Sequence, residues 1–544
     1  MNVPPQPGLA SAVVSVVREK GYLSGQDMET IARSLRIPTS RVYGFCSQFP
    51  ELTRPPGRPL LQLCSGPACA AVEPEAETER ALAKLGMRAE VFRVPGLARP
   101  HRSPALTARL PGEGERLIEG FRVSELEELT MILDRRDLSA YPLPEEERFP
   151  GAVEVPEGEI SPWLASLSGK GLSRPPDTGS LKEVSRDPTS VREFLEEECG
   201  FSSPLARAGP PALLVCDAVG PSSEGSVDLL VSRSCPEVVA AGAVLAAAAL
   251  GARKVIFFLP WDLEELEARL RLAAAEAASE AGLEWEVLPG PLSIPCRRDI
   301  GVAAFLQGMM LWRAASICGR DGPLRLDPPT LVCGAVALWK LPWVLEQEGG
   351  GEKWKERRTL IAVSPDGASR WLEPPPSLSA SDLEGLLKGV PGERPPRAFY
   401  LEGMDNRIYP SGVERVEIPG GTRRLLVLDE STCMAGWAQR MLATAEGECC
   451  GGCTPGRTAP TAAAAVLASI VEGGTGEEGR RGMADLLERA ELLALCPQLL
   501  RTFPVIRACM EFFPEDFGLR SGGGDETEGT VSGSGKAYGM GVRG

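Results

Sequence analysis

The sequence predicts an α/β protein made of several domains. Strands and helices alternate between residues 212 and 288, which favours a parallel sheet covered by helices. A helical unit at residues 9 to 52 precedes this part of the chain. A chain of 544 residues is also too long for one hydrophobic core and should hold about three or four domains.

Charge and cysteine content restrict the function classes. Acidic residues outnumber basic ones 74 to 58, and the net charge of −16 argues against nucleic acid and anionic membrane surfaces as partners. The N-terminal residues have no basic stretch followed by an apolar one, so we expect a cytoplasmic protein without direct membrane insertion. Fifteen cysteines, an odd number, fit metal sites and reduced thiols better than a disulfide framework.

The helical unit at residues 9 to 52 has recognisable start signals. Ser24 can cap a helix together with Asp27 three residues later, as a variant capping box. A second short helix is expected after Pro38. Apolar residues follow the cap at helical spacing, namely Met28, Ile31, Ala32 and Leu35.

The next segment, from Pro59, is predicted to be a strand that runs into a loop with two cysteines. Cys64 and Cys69 have the C-x4-C spacing that opens the plant-type ferredoxin pattern. The alternative is an ordinary thiol pair that binds no metal.

His101 is the only histidine in the chain. A second histidine would be needed for a facial metal triad or a histidine-rich zinc site. We therefore expect His101 to be a surface residue.

The alternating segment contains predicted strands at 212–217, 254–259 and 284–288, separated by predicted helices at 236–250 and 262–281. Its most apolar run is interrupted by Gly251, Arg253 and Lys254 before it reaches the length of a membrane span. This run therefore fits an alanine-rich helix followed by a buried strand.

A cysteine loop near the C-terminus carries the chemistry. Cys450 and Cys453 form a C-x2-C pair, and Cys496 follows about forty residues later. Gly451 and Gly452 allow the positive φ angles that a tight metal-binding turn needs. Iron–sulfur clusters are usually held by four thiolates, whereas an isolated C-x2-C pair also fits zinc or a redox dithiol.

Residues 427–434, 448–455 and 495–513 resemble the C-terminal helical domain of the flavoprotein subunit of respiratory complex I. In that family the loop reads E-S-C-G-x-C-x-P-C-R and carries a [4Fe-4S] cluster. The resemblance implies a cluster at Cys450, Cys453 and Cys496. Here Gly456 stands where the family has its third cysteine, and Cys449 replaces the family serine. Cys449 is thus a substitute ligand, or a [3Fe-4S] species forms.

Residues 21–24, 31–38 and 41–44 resemble the helical lead-in of the thioredoxin-like [2Fe-2S] subunit of the same complex. In that family a C-x4-C pair binds one iron, and a later C-x-G-x-C pair binds the other. The later positions fall on Gly96 and Pro100 here. We therefore expect Cys64 and Cys69 to be a half-site that holds no [2Fe-2S] centre.

The α/β layer of the complex I flavoprotein binds FMN and NADH, and the corresponding motifs are altered here. The family loop G-R-G-G-A-G-F-P-T-G-x-K-W corresponds to residues 168–182, where Leu172, Ser173 and Arg174 replace its central small residues. A non-glycine side chain there keeps the backbone N–H groups from the phosphate. The glycines retained from the family loop are Gly169, Gly171 and Gly179.

Two further family elements are also changed. The acidic N-x-D-E-x-E-P-G segment is reduced to residues 217–221, beginning at Asp217. The C-G-E-E-T-A-L segment appears at 318–322, where Arg320 reverses the charge of a glutamate. We therefore expect binding of FMN and NAD to be lost, and no catalytic residue is assigned.

The resemblance implies a fusion of two electron-input subunits. We expect an iron–sulfur electron-transfer subunit of an NADH dehydrogenase-like oxidoreductase complex, with other redox subunits as partners. The alternatives are a non-catalytic scaffold and a still active NADH:acceptor oxidoreductase. The expected parts are a helical and thioredoxin-like domain at 9–134, a linker at 135–160, an α/β flavoprotein-like domain at 161–350, a β-grasp-like insert at 351–425, a helical iron–sulfur domain at 426–517 and a disordered tail at 518–544.

Overall fold

A computed structural model shows the fold of most of the chain. The residues that it describes are 8–20, 22–49, 52, 59–64, 66–67, 69, 83–86, 89–94, 105–109, 115–119, 129, 133, 188–199, 210–220, 227–260, 263–291, 294, 299–310, 328–345, 356–364, 369–388, 394–472, 476–495 and 497–518. The linker expected at 135–160 and the tail from 519 onward lie outside them.

Three helices open the chain: α1 (Leu9–Lys20), α2 (Gly25–Leu35) and α3 (Thr39–Cys46). The predicted cap of α2 is confirmed. The Asp27 backbone N–H donates to Ser24 Oγ at 3.2 Å, and the Ser24 backbone N–H donates to Asp27 Oδ2 at 3.0 Å. Helix α3 follows Pro38, as the sequence predicts.

A four-stranded sheet follows, made of β1 (Leu60–Cys64), β2 (Glu90–Val94), β3 (Ala105–Arg109) and β4 (Glu115–Glu119). The strand order is β2-β1-β3-β4. Strand β1 runs parallel to β2 and antiparallel to β3, and β3 is antiparallel to β4. Alternate residues of β1, Leu61 and Leu63, are buried in a small core of their own.

In chain order the α/β layer comprises α4 (Pro188–Cys199), β5 (Leu213–Asp217), α5 (Val227–Ser234), α6 (Pro236–Leu250), β6 (Lys254–Pro260), α7 (Glu264–Ala281), β7 (Glu284–Gly290), α8 (Asp299–Leu306), β8 (Thr330–Gly334) and α9 (Ala335–Leu345). Its strands form a parallel sheet with the order β7-β6-β5-β8. The predicted strands and helices are confirmed to within two residues, because long apolar runs bounded by glycines define them. Five further elements of the layer, α4, α5, α8, β8 and α9, were not predicted.

Helices α6 and α9 pack against each other at unusually short range. A Cβ atom placed on Gly242 would lie only 1.7 Å from the Leu338 carbonyl oxygen. Any larger residue at position 242 would therefore force the two helices apart.

The predicted division of the apolar run into α6 and β6 is confirmed. Within the described part of the chain, no single helix is long and apolar enough to cross a membrane. Helices α5 and α6 are long and apolar enough only when taken together, and their axes are bent by 107° relative to each other.

A second mixed sheet, called the second sheet below, follows the α/β layer. Its strand order is β10-β9-β15-β12-β13. Strand β15 pairs in parallel with β9, and β12 pairs antiparallel with β15. The last strand runs to Asp429, four residues beyond the boundary expected at 425, because pairing with β12 continues to that residue. The elements are β9 (Leu360–Val363), β10 (Ser369–Leu372), β11 (Ser377–Leu378), α10 (Ala380–Leu386), β12 (Pro396–Glu402), β13 (Arg407–Pro410), β14 (Val416–Glu417) and β15 (Arg424–Asp429).

The chain then forms a group of packed helices: α11 (Met434–Glu448), α12 (Thr454–Val471), α13 (Gly476–Leu493) and α14 (Pro497–Phe512). Each helix packs against the next, and α14 also packs against α11. A short 3-10 helix, Pro514–Phe517, closes the group. Helical structure in this part of the chain agrees with the resemblance found in the sequence.

Four buried charged side chains join the α/β layer to the second sheet. Lys340 Nζ lies 3.1 Å from Glu198 Oε2, and Arg423 Nη1 lies 3.2 Å from Glu198 Oε1. Arg423 Nε is 3.4 Å from Asp228 Oδ2, and the other oxygen of Asp228 accepts the Val336 backbone N–H at 2.9 Å. Burial alone would lower the pKa of the Arg423 guanidinium, but the carboxylates of Asp228 and Glu198 raise it. We refer to Glu198, Asp228, Lys340 and Arg423 as the charged quartet.

Two contacts bring the N-terminal regions onto the rest of the molecule. Phe45 of α3 stacks on Phe305 of α8, with ring centroids 5.5 Å apart. The indole N–H of Trp437, on α11, donates to the Pro67 carbonyl oxygen at 3.4 Å. The second contact places the loop after β1 beside the C-terminal helices.

Candidate metal centre

The cysteine loop lies between the end of α11 and the start of α12. Cys449 is the C-terminal cap of α11 and has an extended backbone, with φ −67° and ψ 130°. Gly451 has φ +70°, a left-handed conformation that favours glycine, and it turns the chain back toward α12. Gly451 therefore has the predicted conformational role, whereas the prediction is wrong for Gly452, whose φ is not positive because Gly451 already makes the turn.

Cys453 is the N-terminal cap of α12. Its side chain is 7% exposed, and its Sγ accepts the Gly456 backbone N–H at 3.3 Å. Hydrogen bonds to ligand sulfurs are a regular feature of iron–sulfur sites and tune the reduction potential of the cluster. The start of α12 thus suits Cys453 to metal binding. Gly456 has no side chain that could bind a metal, but its backbone N–H donates to the Cys453 sulfur.

The other two thiols of the loop pack against Cys453. Cys449 and Cys450 are both half-buried, and they form one small cluster with Cys453 and Leu495. Leu495 immediately precedes Cys496 in the sequence. Cys496 itself lies outside the described residues, but the segment that leads to it contacts Cys453.

The geometry of the loop limits what it can bind. Among the described residues, which leave out Cys496, no three His, Cys, Asp or Glu side chains converge on a point suited to one metal ion. The clustered thiols, the glycine turn and the N–H donor to Cys453 are features that suit an iron–sulfur cluster.

A buried arginine lies beside the loop. Arg501, on α14, donates from Nη1 to the Gly403 carbonyl oxygen at 3.0 Å and from Nη2 to Gln498 Oε1 at 2.5 Å. Its Nη2 is also 4.0 Å from Glu448 Oε2, on the residue before Cys449. Arg501 was not found from the sequence, because a charged residue in an apolar helix is its only local signal.

The N-terminal cysteine pair has different surroundings. Cys64, at the end of β1, and Cys69 are both buried, and they form a separate small cluster with Ala105. Pro67, between them, is held by Trp437. The positions at which the related subunit has its second cysteine pair, Gly96 and Pro100, lie outside the described residues, as does His101.

Most of the residues aligned with the flavin site also lie outside the described residues, including Gly169, Gly171, Gly179 and Arg320. Asp217 is described, and it ends β5. Its carboxylate is buried and accepts the Val219 backbone N–H at 3.1 Å. This hydrogen bond shapes the turn that contains Gly220, whose φ is +79°.

A match to a known protein family covers the cysteine loop. Residues 436–520 match the family model described as the NADH-ubiquinone oxidoreductase-F iron-sulfur binding region. The chain is 25% identical over 384 residues to an F-type subunit of NADH-quinone oxidoreductase from Rhizobium meliloti (strain 1021), which covers 63% of this chain and 88% of that protein. It is 24% identical over 308 residues to the F-type subunit of NADH-quinone oxidoreductase from Streptomyces coelicolor (strain ATCC BAA-471 / A3(2) / M145), which covers 51% of this chain and 67% of that protein.

Solved structures share the fold. A crystal structure of NAD+-reducing [NiFe]-hydrogenase in the H2-reduced state aligns with a TM-score of 0.72 and 17% identity, covering 95% of this chain and 92% of that one. The air-oxidised state aligns with a TM-score of 0.70 and 17% identity, covering 94% and 93%. The resemblance to the flavoprotein subunit that the sequence predicts is therefore confirmed.

Proposed function

We propose that this chain is an iron–sulfur electron-transfer subunit of an NADH dehydrogenase-like oxidoreductase complex. The observation that carries this proposal is the cluster of Cys449, Cys450 and Cys453 at the start of α12, inside the segment that matches an iron–sulfur binding family. Cys450, Cys453 and Cys496 are the proposed ligands. When bound, the cluster would accept and release single electrons.

The residues of this chain contribute position and electrostatics to such a site. Gly451 turns the loop, the Gly456 backbone N–H donates to the Cys453 sulfur, and Leu495 packs the second ligand-bearing segment against it. The fourth ligand has two candidates. Cys449 completes a four-thiolate set and gives [4Fe-4S], or three thiolates hold a [3Fe-4S] cluster.

The proposed N-terminal part is a thioredoxin-like domain within residues 9–134 that has lost its [2Fe-2S] centre. The strand order β2-β1-β3-β4, with one parallel pair at one side, supports this assignment. The separate packing of Cys64 and Cys69 with Ala105 supports a thiol pair without a cluster.

The proposed middle parts are a flavoprotein-like α/β domain at 161–350 and a β-grasp-like domain at 351–425. The parallel sheet supports the first, and the parallel pairing of β9 with β15 beside α10 supports the second. The side chains of Leu172 and Arg174 in the phosphate loop, together with Arg320, argue against bound FMN and NAD. The chain therefore depends on other redox subunits as electron donor and acceptor.

Two functions remain as alternatives to the relay. A scaffold subunit would keep the fold without the cluster. An active NADH:acceptor oxidoreductase would require flavin despite the changed loop. The names of the relatives, which are subunits of an NADH-quinone oxidoreductase, favour membership of a complex for all three.

Anaerobic purification with an absorbance spectrum and assays of iron, sulfide, zinc and flavin separates these functions. The relay predicts about four or three irons with acid-labile sulfide and little flavin per chain. Stoichiometric zinc without sulfide would contradict the cluster, and stoichiometric flavin would favour the active oxidoreductase. Iron, sulfide and flavin contents that are all near zero would favour the scaffold function.

A further inference from the structure

We infer that Arg501 is a positioning residue for the cluster, and that its buried positive charge raises the reduction potential of that cluster. The inference rests on the proposed function, since it requires a cluster at the cysteine loop. It assigns a role to a side chain that has no place among the cysteine ligands.

The first argument is connectivity. Arg501 lies on α14, the helix that follows Cys496, and its Nη2 is 4.0 Å from Oε2 of Glu448, which immediately precedes Cys449. This ion pair joins the two segments of the chain that carry the proposed ligands, and the hydrogen bond to Gln498 within α14 orients the guanidinium. Its third partner, the Gly403 carbonyl oxygen, belongs to the turn after β12 and fixes this bridge to the second sheet.

The second argument is rigidity. Arg501, Gln498 and Glu448 are 6%, 5% and 7% exposed, so the bridge lies inside the protein. A planar guanidinium can donate in several directions at once, which a lysine ammonium cannot reproduce with the same geometry. The three contacts thus hold the Cys449–Cys453 loop and the start of α14 at a set separation.

The third argument is charge. A cluster with thiolate ligands is anionic and gains another negative charge when it is reduced, so a nearby buried cation favours the reduced form. Glu448 offsets part of this effect from 4.0 Å away. One charge on the order of 10 Å from the cluster, at an effective dielectric constant of about 20, shifts the reduction equilibrium about tenfold.

The test compares Arg501→Gln and Arg501→Lys with a control, Arg507→Gln. Arg507 lies on the same helix and pairs with Glu491 at 3.0 Å, so the control removes the same charge about 9 Å farther along the axis. Iron and sulfide per chain report on positioning. An EPR-monitored redox titration of the intact, anaerobically purified protein reports the potential.

Arg501→Gln should lose cluster content and shift the reduction equilibrium of the remaining cluster about tenfold toward the oxidised form, which corresponds to about 59 mV for one electron. Arg501→Lys should lose cluster content but shift the equilibrium less than about threefold, because the charge remains. The control should match the wild-type protein in both measurements. If Arg501→Gln does not fold, the loss of cluster content in Arg501→Lys still tests the positioning role.

Three results would contradict the inference. Full iron content with an unchanged potential in Arg501→Gln would overturn it entirely. Reduced content with an unchanged potential would overturn the electrostatic part. Wild-type protein without iron would overturn the proposed function and this inference with it, so the two failures are distinguishable.

Discussion

The loop with Cys64 and Cys69 and the loop with Cys449, Cys450 and Cys453 have unlike surroundings. Cys64 and Cys69 are buried with Ala105 at the end of a strand, whereas Cys453 is buried at the start of a helix where an N–H donates to its sulfur. Within the described part of the chain, the second loop also has two thiols packed against Cys453 and the buried Arg501 nearby. The difference teaches that cysteine spacing identifies a candidate site, while the surrounding elements decide how many thiols and donors come together there.

Replacing Cys453 should give the largest difference between the two loops. Cys453→Ala removes a proposed ligand, so we expect the loss of nearly all iron and acid-labile sulfide. Cys69→Ala should leave both unchanged, and so should the control Cys433→Ala, which changes an exposed cysteine before α11. Loss of about two irons per chain in Cys64→Ala would show that the N-terminal loop also holds a [2Fe-2S] cluster.

Cys449 is tested by a smaller change. If Cys449 is the fourth ligand, Cys449→Ser should reduce iron from about four to about three per chain and give a [3Fe-4S] EPR signal. Iron content and EPR spectra of anaerobic samples provide the measurement. An unchanged [4Fe-4S] signal with the same stability in air would exclude Cys449 as a ligand.

Thiols buried without donors should make the fold sensitive to alkaline pH. Burial raises the pKa of the Cys46 thiol to about 12, while the thiol in the unfolded chain ionises near its ordinary value of about 9. The native state therefore holds a proton that the unfolded state releases, and the free energy of unfolding falls as pH rises above about 9. The expected slope is about 1.4 kcal/mol per pH unit for this group, until its native pKa is reached.

Urea unfolding between pH 8 and 10.5 measures this slope. Cys46→Ala should make the pH dependence shallower by about one proton, whereas Cys433→Ala should not change it. Burial also raises the pKa of Cys216 and Cys509, so part of the slope should persist in Cys46→Ala. A slope that is identical in the two variants would contradict the assignment to Cys46.

The contact between α11 and the N-terminal cysteine loop should have the smallest effect. Trp437→Phe removes the indole N–H that donates to the Pro67 carbonyl oxygen at 3.4 Å, which is worth about 1 kcal/mol. Local opening of the N-terminal loop should become about fivefold more frequent. The rate at which Cys69 reacts with a thiol reagent measures how often this loop opens. Trp343→Phe, on α9, is the control. Equal rates in both variants would show that the contact does not restrain the loop.

Much of the fold could be predicted from short-range signals. The Ser24 cap, the strands of the parallel sheet and the helices between them follow from residues that are neighbours in the sequence. The helix α9 was not predicted, since Pro342 lies inside it and its apolar residues cover every side. An element buried on all sides has no periodic pattern to detect.

The sequence predicts candidate ligands for the site but not their surroundings. Cys450 and Cys453 were found from their spacing, but the N–H donor of Gly456 depends on where α12 begins. The contact of Arg501 with Gly403 and that of Trp437 with Pro67 join residues that lie 98 and 370 positions apart. Long-range contacts of this kind leave no local trace in one sequence.

The charged quartet bears on how this protein can be divided. Glu198, Asp228 and Lys340 precede residue 350, while Arg423 follows it, so a cut there would remove one of two cations from a buried group that contains two carboxylates. Breaking such a group costs about 3–5 kcal/mol, a large share of the stability of a typical domain. The α/β layer and the second sheet are thus expected to be inseparable in expression and in evolution: neither is a module that could be exchanged for a homologous part without its counterpart.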